Sequence, residues 1–122
     1  MMYKFKIIKP SIEIWNIIEN SNDSTCFYAK QWNDYLLCIG INPYIVEIIT
    51  NERTIGYFIG EKIQALIKII TAPIEGIGTY TQGLCMLEPI SEAKRIEIYK
   101  SLATWLFDKQ KVYILQVDDW QL

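Results

Sequence analysis

The chain has 122 residues, of which 51% are hydrophobic and 21% are charged, the balance of an ordinary globular domain with one buried core. Twelve Lys and Arg against fourteen Asp and Glu give a net charge of −2, and the basic residues are scattered, which argues against nucleic acid as a ligand. No run approaches the roughly 20 apolar residues of a membrane span, and the first residues lack the apolar core of a secretion signal. We therefore expect a cytoplasmic protein with no membrane span.

The absence of histidine restricts the chemistry that this chain can perform alone. A general base must be a carboxylate, a lysine, a tyrosine, a cysteine or a water held by one of these, and a Ser-His-Asp or Cys-His arrangement is excluded. Cys26, Cys38 and Cys85 lie in no C-x-x-C spacing, so we expect reduced thiols and no metal site. For Cys85, two roles stay open, a packed thiol and a nucleophile.

The first forty residues predict one strand and two helices. Residues 3–9 alternate between two faces up to Pro10, as in a half-exposed strand. Ser11 is a good N-cap for a helix that ends near Asn20. A second helix is predicted over residues 25–39, with Gly40 as the residue that follows its C-cap. The predicted inward residues are Ile14, Trp15 and Ile18 in the first helix, and Phe27, Trp32, Leu36 and Ile39 in the second.

The middle of the chain predicts three consecutive strands in an antiparallel meander. Residues 44–50 are β-branched and almost continuously apolar, which favours the inside of a sheet. Residues 54–60 alternate, and a turn at Gly60-Glu61 is expected to lead into a strand over 62–70. In that strand the residues expected to face the core are Ile63, Ala65, Ile67 and Ile69.

The last forty residues predict a long helix between two strands. Residues 83–87 are compatible with a short strand, an alternative that the sequence leaves open. Ser91 is placed to cap a helix over 92–109, and residues 112–117 are typical of a buried strand. A helix between two strands implies a parallel pair. The expected apolar stripe is Ile90, Ala93, Ile96, Tyr99, Leu102, Ala103, Leu106 and Phe107, and the expected polar face is Lys94, Arg95, Glu97 and Lys100.

The predicted fold class is therefore α/β (α+β): a single domain over residues 1–122 with a mixed sheet and the order β-α-α-β-β-β-α-β. Residues 118–122 follow directly on a strand that is expected to be central. An apolar strand left at the edge of a sheet invites pairing. We expect either that a second copy covers this strand or that the chain is the N-terminal portion of a longer polypeptide.

Two stretches are candidate sites. The glycine-containing segment 71–83 separates the strand region from the long helix, and Tyr80, Thr81 and Gln82 supply a phenol, a hydroxyl and an amide. The segment is either a substrate-binding loop, in which the glycines let backbone amides approach a ligand, or a bulged loop that covers the sheet.

The second stretch, Asp118-Asp119-Trp120, follows the last strand. Ligands of open α/β sheets gather at the carboxyl ends of strands, so a carboxylate here could orient an amine or act as a base. The alternative is a solvated strand end. A metal site is not expected, because adjacent strand residues point to opposite faces.

Three pieces of this sequence resemble the GNAT acyltransferase fold, and within it one half of a FemAB-type aminoacyl or acyl transferase. They are the first helix with Trp15 leading into an Asn-Asp-Ser loop, the aromatic second helix, and the strand meander that ends in P-x-x-G-x-G-T-Y-T-Q-G at residues 73–83. The resemblance implies a transferase with a small-molecule or peptidoglycan-precursor-like acceptor. Asp118 or Asp119 would be the base or the orienting group, and Tyr80, Thr81, Gln82 and Trp120 would contact the substrate.

The sequence departs from the GNAT pattern in the loop that binds the cofactor, directly before the third helix. Acetyl-CoA-dependent members place Q/R-x-x-G-x-G/A directly before the third helix, where backbone N–H groups bind the pyrophosphate. Here that position reads Gln82-Gly83-Leu84-Cys85-Met86-Leu87-Glu88-Pro89, which lacks the G-x-G and adds an acidic residue. We therefore expect no CoA site within this chain, and a donor only if a second half supplies it. The alternative function is a non-enzymatic binding or assembly domain that dimerises through its last strand.

Overall fold

The computed structural model describes residues 2–21, 30–64, 67–72 and 83–117. These residues form a mixed α+β domain with a six-stranded sheet and three helices. The elements are β1 (Lys4–Ile8), α1 (Ile12–Glu19), α2 (Lys30–Cys38), β2 (Pro43–Thr50), β3 (Arg53–Gln64), β4 (Lys68–Ala72), β5 (Gly83–Met86), α3 (Glu92–Gln110) and β6 (Val112–Val117). No helix among them is long and apolar enough to cross a membrane.

The strands lie in the order β1-β2-β3-β4-β6, and β5 pairs with β3 as well. The pairs β1–β2, β2–β3, β3–β4 and β3–β5 are antiparallel, whereas β4 and β6 are parallel. The predicted mixed sheet and the antiparallel meander are thus confirmed. The described order differs from the predicted one by β5, which occupies the short strand left open at 83–87. The parallel pair is confirmed too, although β5 intervenes between β4 and the helix.

One side of β3 is shared by two strands. Thr71 of β4 lies opposite Glu61, and Gly83 of β5 lies opposite Ile59. Since these β3 positions are two residues apart, β4 and β5 follow one another along the same side of β3. Along this side of β3, the described residues of β4 end at Ala72 and those of β5 begin at Gly83.

The predicted turn at Gly60-Glu61 is wrong, because both residues lie inside β3, where Gly60 pairs with Tyr44 of β2. A glycine tolerates an extended backbone as well as a turn, so its presence did not fix the end of the strand. The chain reverses after Gln64 instead, and Lys68 pairs with Gln64. Ile67, which precedes β4, is 39% exposed, and Ile70 within β4 is fully buried.

The described residues form two core clusters, each between one helix and the sheet. One contains buried residues of α1, and the other contains buried residues of α3. Ser11 caps α1 by accepting a hydrogen bond from the Ile14 N–H at 3.2 Å. Trp15 and Ile18 of α1 are buried as predicted. Leu36 of α2 is buried as predicted. Ile39, which follows α2, is 46% exposed, so the predicted inward position of Ile39 is wrong.

Helix α3 is rotated relative to the predicted stripe. Its buried residues are Arg95, Ile98, Leu102 and Leu106. Ile96 and Phe107 of the predicted apolar stripe are 39% and 53% exposed, and Arg95 of the predicted polar face is only 2% exposed. An arginine can lie inward when its guanidinium finds oxygen acceptors, so charge alone did not identify the outer face.

Strand β6 lies at the edge of the sheet formed by the described strands. Val112 is buried, but Tyr113 and Ile114 are 54% and 43% exposed. The prediction of a buried strand is therefore wrong, and the reason is position: an edge strand covered by one helix leaves several apolar side chains in solvent.

Gly56 marks the closest approach of β3 and β5. A Cβ atom at this position would lie 2.8 Å from the Cys85 carbonyl oxygen and 2.8 Å from the Met86 Sδ. Gly56→Ala should therefore force the two strands apart and lower the free energy of unfolding by about 1–3 kcal/mol, as measured by urea denaturation. Gly40→Asn is the control, because Gly40 has φ +86° and no neighbour within 4 Å, and asparagine tolerates this conformation. Equal stability of Gly56→Ala and wild type would contradict the close approach.

Candidate functional site

The candidate site is the point where the line of strands opposite β3 is interrupted. Ala72 at the end of β4 pairs with Val117 at the end of β6. In sequence, the two predicted site segments follow directly on these paired residues. The predicted site residues themselves lie outside the described part of the chain: Tyr80, Thr81, Gln82, Asp118, Asp119 and Trp120.

Next to this point, side chains of α3 bond the backbone of β5. The Leu84 N–H donates to the Tyr99 hydroxyl at 3.0 Å, and Arg95 Nη2 donates to the Leu84 carbonyl at 3.2 Å. The N–H and C=O groups of one strand residue point to the same side, so both of these groups of Leu84 face α3. The two side chains thus bond β5 where a further strand would otherwise lie.

Arg95 and Tyr99 also fix the helix. Arg95 is 2% exposed, and a guanidinium keeps its charge at any ordinary pH. The ring of Tyr99 meets that of Phe58 on β3 edge-to-face, with centroids 6.5 Å apart, a favourable aromatic arrangement. The first half of α3 is therefore bonded to β5 and packed on β3 at the same time.

Tyr44 of β2 lies on the same side of the sheet. It pairs with Gly60, at the level where β4 gives way to β5, and packs against the core cluster beneath α3. Burial raises the pKa of Tyr44 to about 12. The phenol stays protonated at neutral pH, where it can donate a hydrogen bond but cannot act as a base.

The N-terminus of α3 is already capped. Ser91 accepts a hydrogen bond from the Lys94 N–H through its side chain at 3.2 Å and from the Arg95 N–H through its carbonyl at 3.0 Å. Glu88 lies just before this cap and lines a cavity of about 420 Å³ together with Arg53 and Lys94. The cavity beside this helix end therefore carries one acidic and two basic side chains.

Cys85 projects to the opposite side of the sheet from Leu84, beneath α1. Its thiol is fully buried, 2.8 Å from the Ser21 hydroxyl and 3.7 Å from the Ile18 carbonyl oxygen to which it donates. A buried thiol among neutral groups is a poor nucleophile, so this packing favours the packed-thiol interpretation.

Sequence reasoning missed Arg95, Tyr99 and Tyr44. A signal for Arg95 existed: residues 95, 98, 102 and 106 repeat at spacings of three and four, which a buried helical stripe requires. The roles of Tyr99 and Tyr44 depend on which strands are neighbours, and this was not readable from spacing.

The described residues contain no group of three His, Cys, Asp or Glu side chains able to hold a metal ion. Comparison with protein-family models, curated proteins and solved structures found no match to this chain.

Replacing Tyr99 with phenylalanine tests the bond to β5. Tyr99→Phe keeps the ring but removes the acceptor of the buried Leu84 N–H, so we expect a loss of about 1–3 kcal/mol of unfolding free energy and faster hydrogen exchange at the Leu84 amide. Tyr113→Phe is the matched control: it removes a hydroxyl from a residue that is 54% exposed and should change stability by less than about 0.5 kcal/mol. If the two variants behave alike, the hydrogen bond does not hold β5.

The pKa of Tyr44 has a consequence for stability at high pH. Because the folded pKa of about 12 lies above the ordinary value of 10.0, the unfolded chain loses this proton first, and stability should fall between pH 10 and pH 12. The pKa of Tyr3 is raised by burial and by the charge of Glu97, and that of Tyr57 by burial, Glu47 and Cys85, in the same direction. The free energy of unfolding should therefore fall less between pH 10 and pH 12 in Tyr44→Phe than in wild type. An unchanged decline would show that Tyr44 titrates normally.

Proposed function

We propose that this chain is a GNAT-like, FemAB-type acyl- or aminoacyl-transferase domain that contributes an acceptor-substrate site and has no CoA-binding loop of its own. One observation carries the proposal: the parallel strands β4 and β6 end side by side at Ala72 and Val117, beside the interruption of the strand line opposite β3. Ligands of sheets with parallel strands bind at such carboxyl ends.

The connectivity supports the GNAT-like assignment. Taken together, β4 and β5 occupy the place of one strand antiparallel to β3. This composite strand is followed by α3 and then by β6, which runs parallel to β4. If β4 and β5 are counted as one strand, the order becomes comparable to the one that the resemblance implies, and this comparison supports the proposal.

The chemistry assigned to the site is transfer of an acyl group to an amine. The amine nitrogen attacks the acyl carbonyl, its proton passes to a carboxylate, and the leaving group of the donor departs. Asp118 or Asp119 is the proposed base or orienting group. Tyr80, Thr81 and Gln82 would hydrogen-bond the acceptor, and Trp120 would contact it.

The donor would come from elsewhere. The backbone of Leu84 is already bonded by Tyr99 and Arg95, so an extended donor could reach this strand edge only by breaking those bonds. The residues directly before α3 also lack the G-x-G of a pyrophosphate-binding loop. Both features support a half-domain whose cofactor site lies on another half.

A second candidate is an assembly domain that pairs through its last strand. The specific observation in its favour is the exposed apolar surface of β6, where Tyr113 and Ile114 are 54% and 43% exposed. Large exposed apolar patches mark interaction sites.

Calorimetric titration separates binding of the donor from binding of the acceptor. We expect no heat from acetyl-CoA at micromolar concentrations and measurable binding of small amines, with glycine amide and glucosamine as probes. Asp118→Asn should weaken the binding of the amine at least roughly tenfold, because the charge pair between this carboxylate and an ammonium group is lost.

Asp108→Asn is the matched control, since Asp108 is exposed on α3 and lines a different groove. Micromolar binding of acetyl-CoA would contradict the absence of a cofactor loop. An equal effect of Asp118→Asn and Asp108→Asn, or no binding of either amine, would contradict the acceptor site.

A further inference from the structure

We propose that β6 is covered by β6 of a second copy of this chain in an antiparallel, twofold pairing. In this dimer, the aromatic pair Phe107–Tyr113 of each copy lies in the apolar groove between α3 and β6 of the other. The inference specifies the partner of the assembly surface named above, and it does not depend on the transferase proposal.

The two edges of the described sheet differ in their protection against pairing. Strand β1 carries Lys4 and Lys6, both exposed, and Lys9-Pro10 follows it. Lysine and proline are the residues that keep edge strands from pairing with other chains. Strand β6, with the sequence VYILQV, carries no charge and no proline. Charged residues occur beside β6 only at its two ends, at Lys111 and at Asp118-Asp119. The contrast within the strands themselves favours pairing at β6 over pairing at β1.

The surface around β6 is apolar over a wide area. Phe107 and Tyr113 are 53% and 54% exposed, so these two rings alone present roughly 200 Å² of largely apolar surface to solvent. Ile96, which lines the groove beside Leu115 and Val117, adds a side chain that is 39% exposed, and Ile114, 43% exposed, lies on the opposite face of the strand. Exposed apolar patches of a few hundred Å² on monomers are often functional.

This surface contains both a projection and a recess. The rings of Phe107 and Tyr113 stack edge-to-face with centroids 5.5 Å apart, which makes a stiff aromatic projection at the start of β6. Towards the end of β6 there is a groove of about 380 Å³. Its lining is almost entirely apolar: Ile96, Tyr99, Lys100, Ala103, Leu115 and Val117.

A twofold axis brings the two features together. In a symmetric pairing the same patch faces itself, so a projection at one end of the patch must meet a recess at the other end. Antiparallel pairing that sets Tyr113 of one copy opposite Val117 of the other places Leu115 on the axis. Each aromatic pair then lies over the groove of the other copy, and the exposed Ala103 leaves room for the rings.

Sedimentation equilibrium and light scattering of the full chain test the dimer. Wild type should show a concentration-dependent mass that approaches twice the 14.3 kDa of one chain. Ile114→Lys should raise the dissociation constant at least roughly tenfold, since it puts a charge on the paired edge. Ile7→Lys is the matched control, because Ile7 is also 43% exposed but lies on β1, and it should leave the mass unchanged.

A second pair of variants distinguishes the specific dimer from general adhesion of apolar surfaces. Ala103→Leu fills the groove, so it should weaken the proposed dimer, whereas general adhesion would become stronger. Ala93→Leu adds the same atoms at an exposed position of α3 outside the groove and should have no effect. A monomeric wild type, dissociation by Ile7→Lys alone, or tighter association of Ala103→Leu would each overturn the proposal.

Discussion

The structure depends on the way two strands share one side of β3. Strand β5 has only four residues and would be a weak element on its own, but it is bonded on both sides: to β3 through the ladder and to α3 through Tyr99 and Arg95. Because these contacts are buried, loss of one of them leaves a polar backbone group without a partner in the core, which costs more than the bond itself contributes. The position of β5, which begins at Gly83, is therefore fixed between β3 and α3.

The position of β5 also determines the surroundings of the proposed acceptor site. With β5 held in place, the interruption opposite β3 stays beside the paired ends of β4 and β6, and Tyr44 lies at the same level on β2. The same contacts occupy the outer edge of β5. The proposal therefore places the acceptor, and not the donor, beside this strand.

The sequence predicted the elements well where local chemistry decides them. Both caps, Ser11 and Ser91, and the long helix over 92–109 follow from side chains that bond their own backbone. It failed where a neighbour in space decides the outcome. Gly60 was expected in a turn because the partner strand that keeps it extended is distant in sequence, and Arg95 was placed outside because its acceptor, Leu84, lies on another element. The exposed face of β6 was missed because an edge strand and a central strand can have the same apolar sequence. The six predicted site residues lie outside the described residues and stay predictions.

Amide chemical shifts of the ¹⁵N-labelled chain, recorded while glycine amide is added, test the central claim most directly. If the interruption beside β3 is the acceptor site, the largest shifts will cluster at Ala72, Gly83, Leu84 and Val117, and those of β1 will not move. Shifts that cluster instead at β1 and the second half of α3, or none at saturating ligand, would contradict the account.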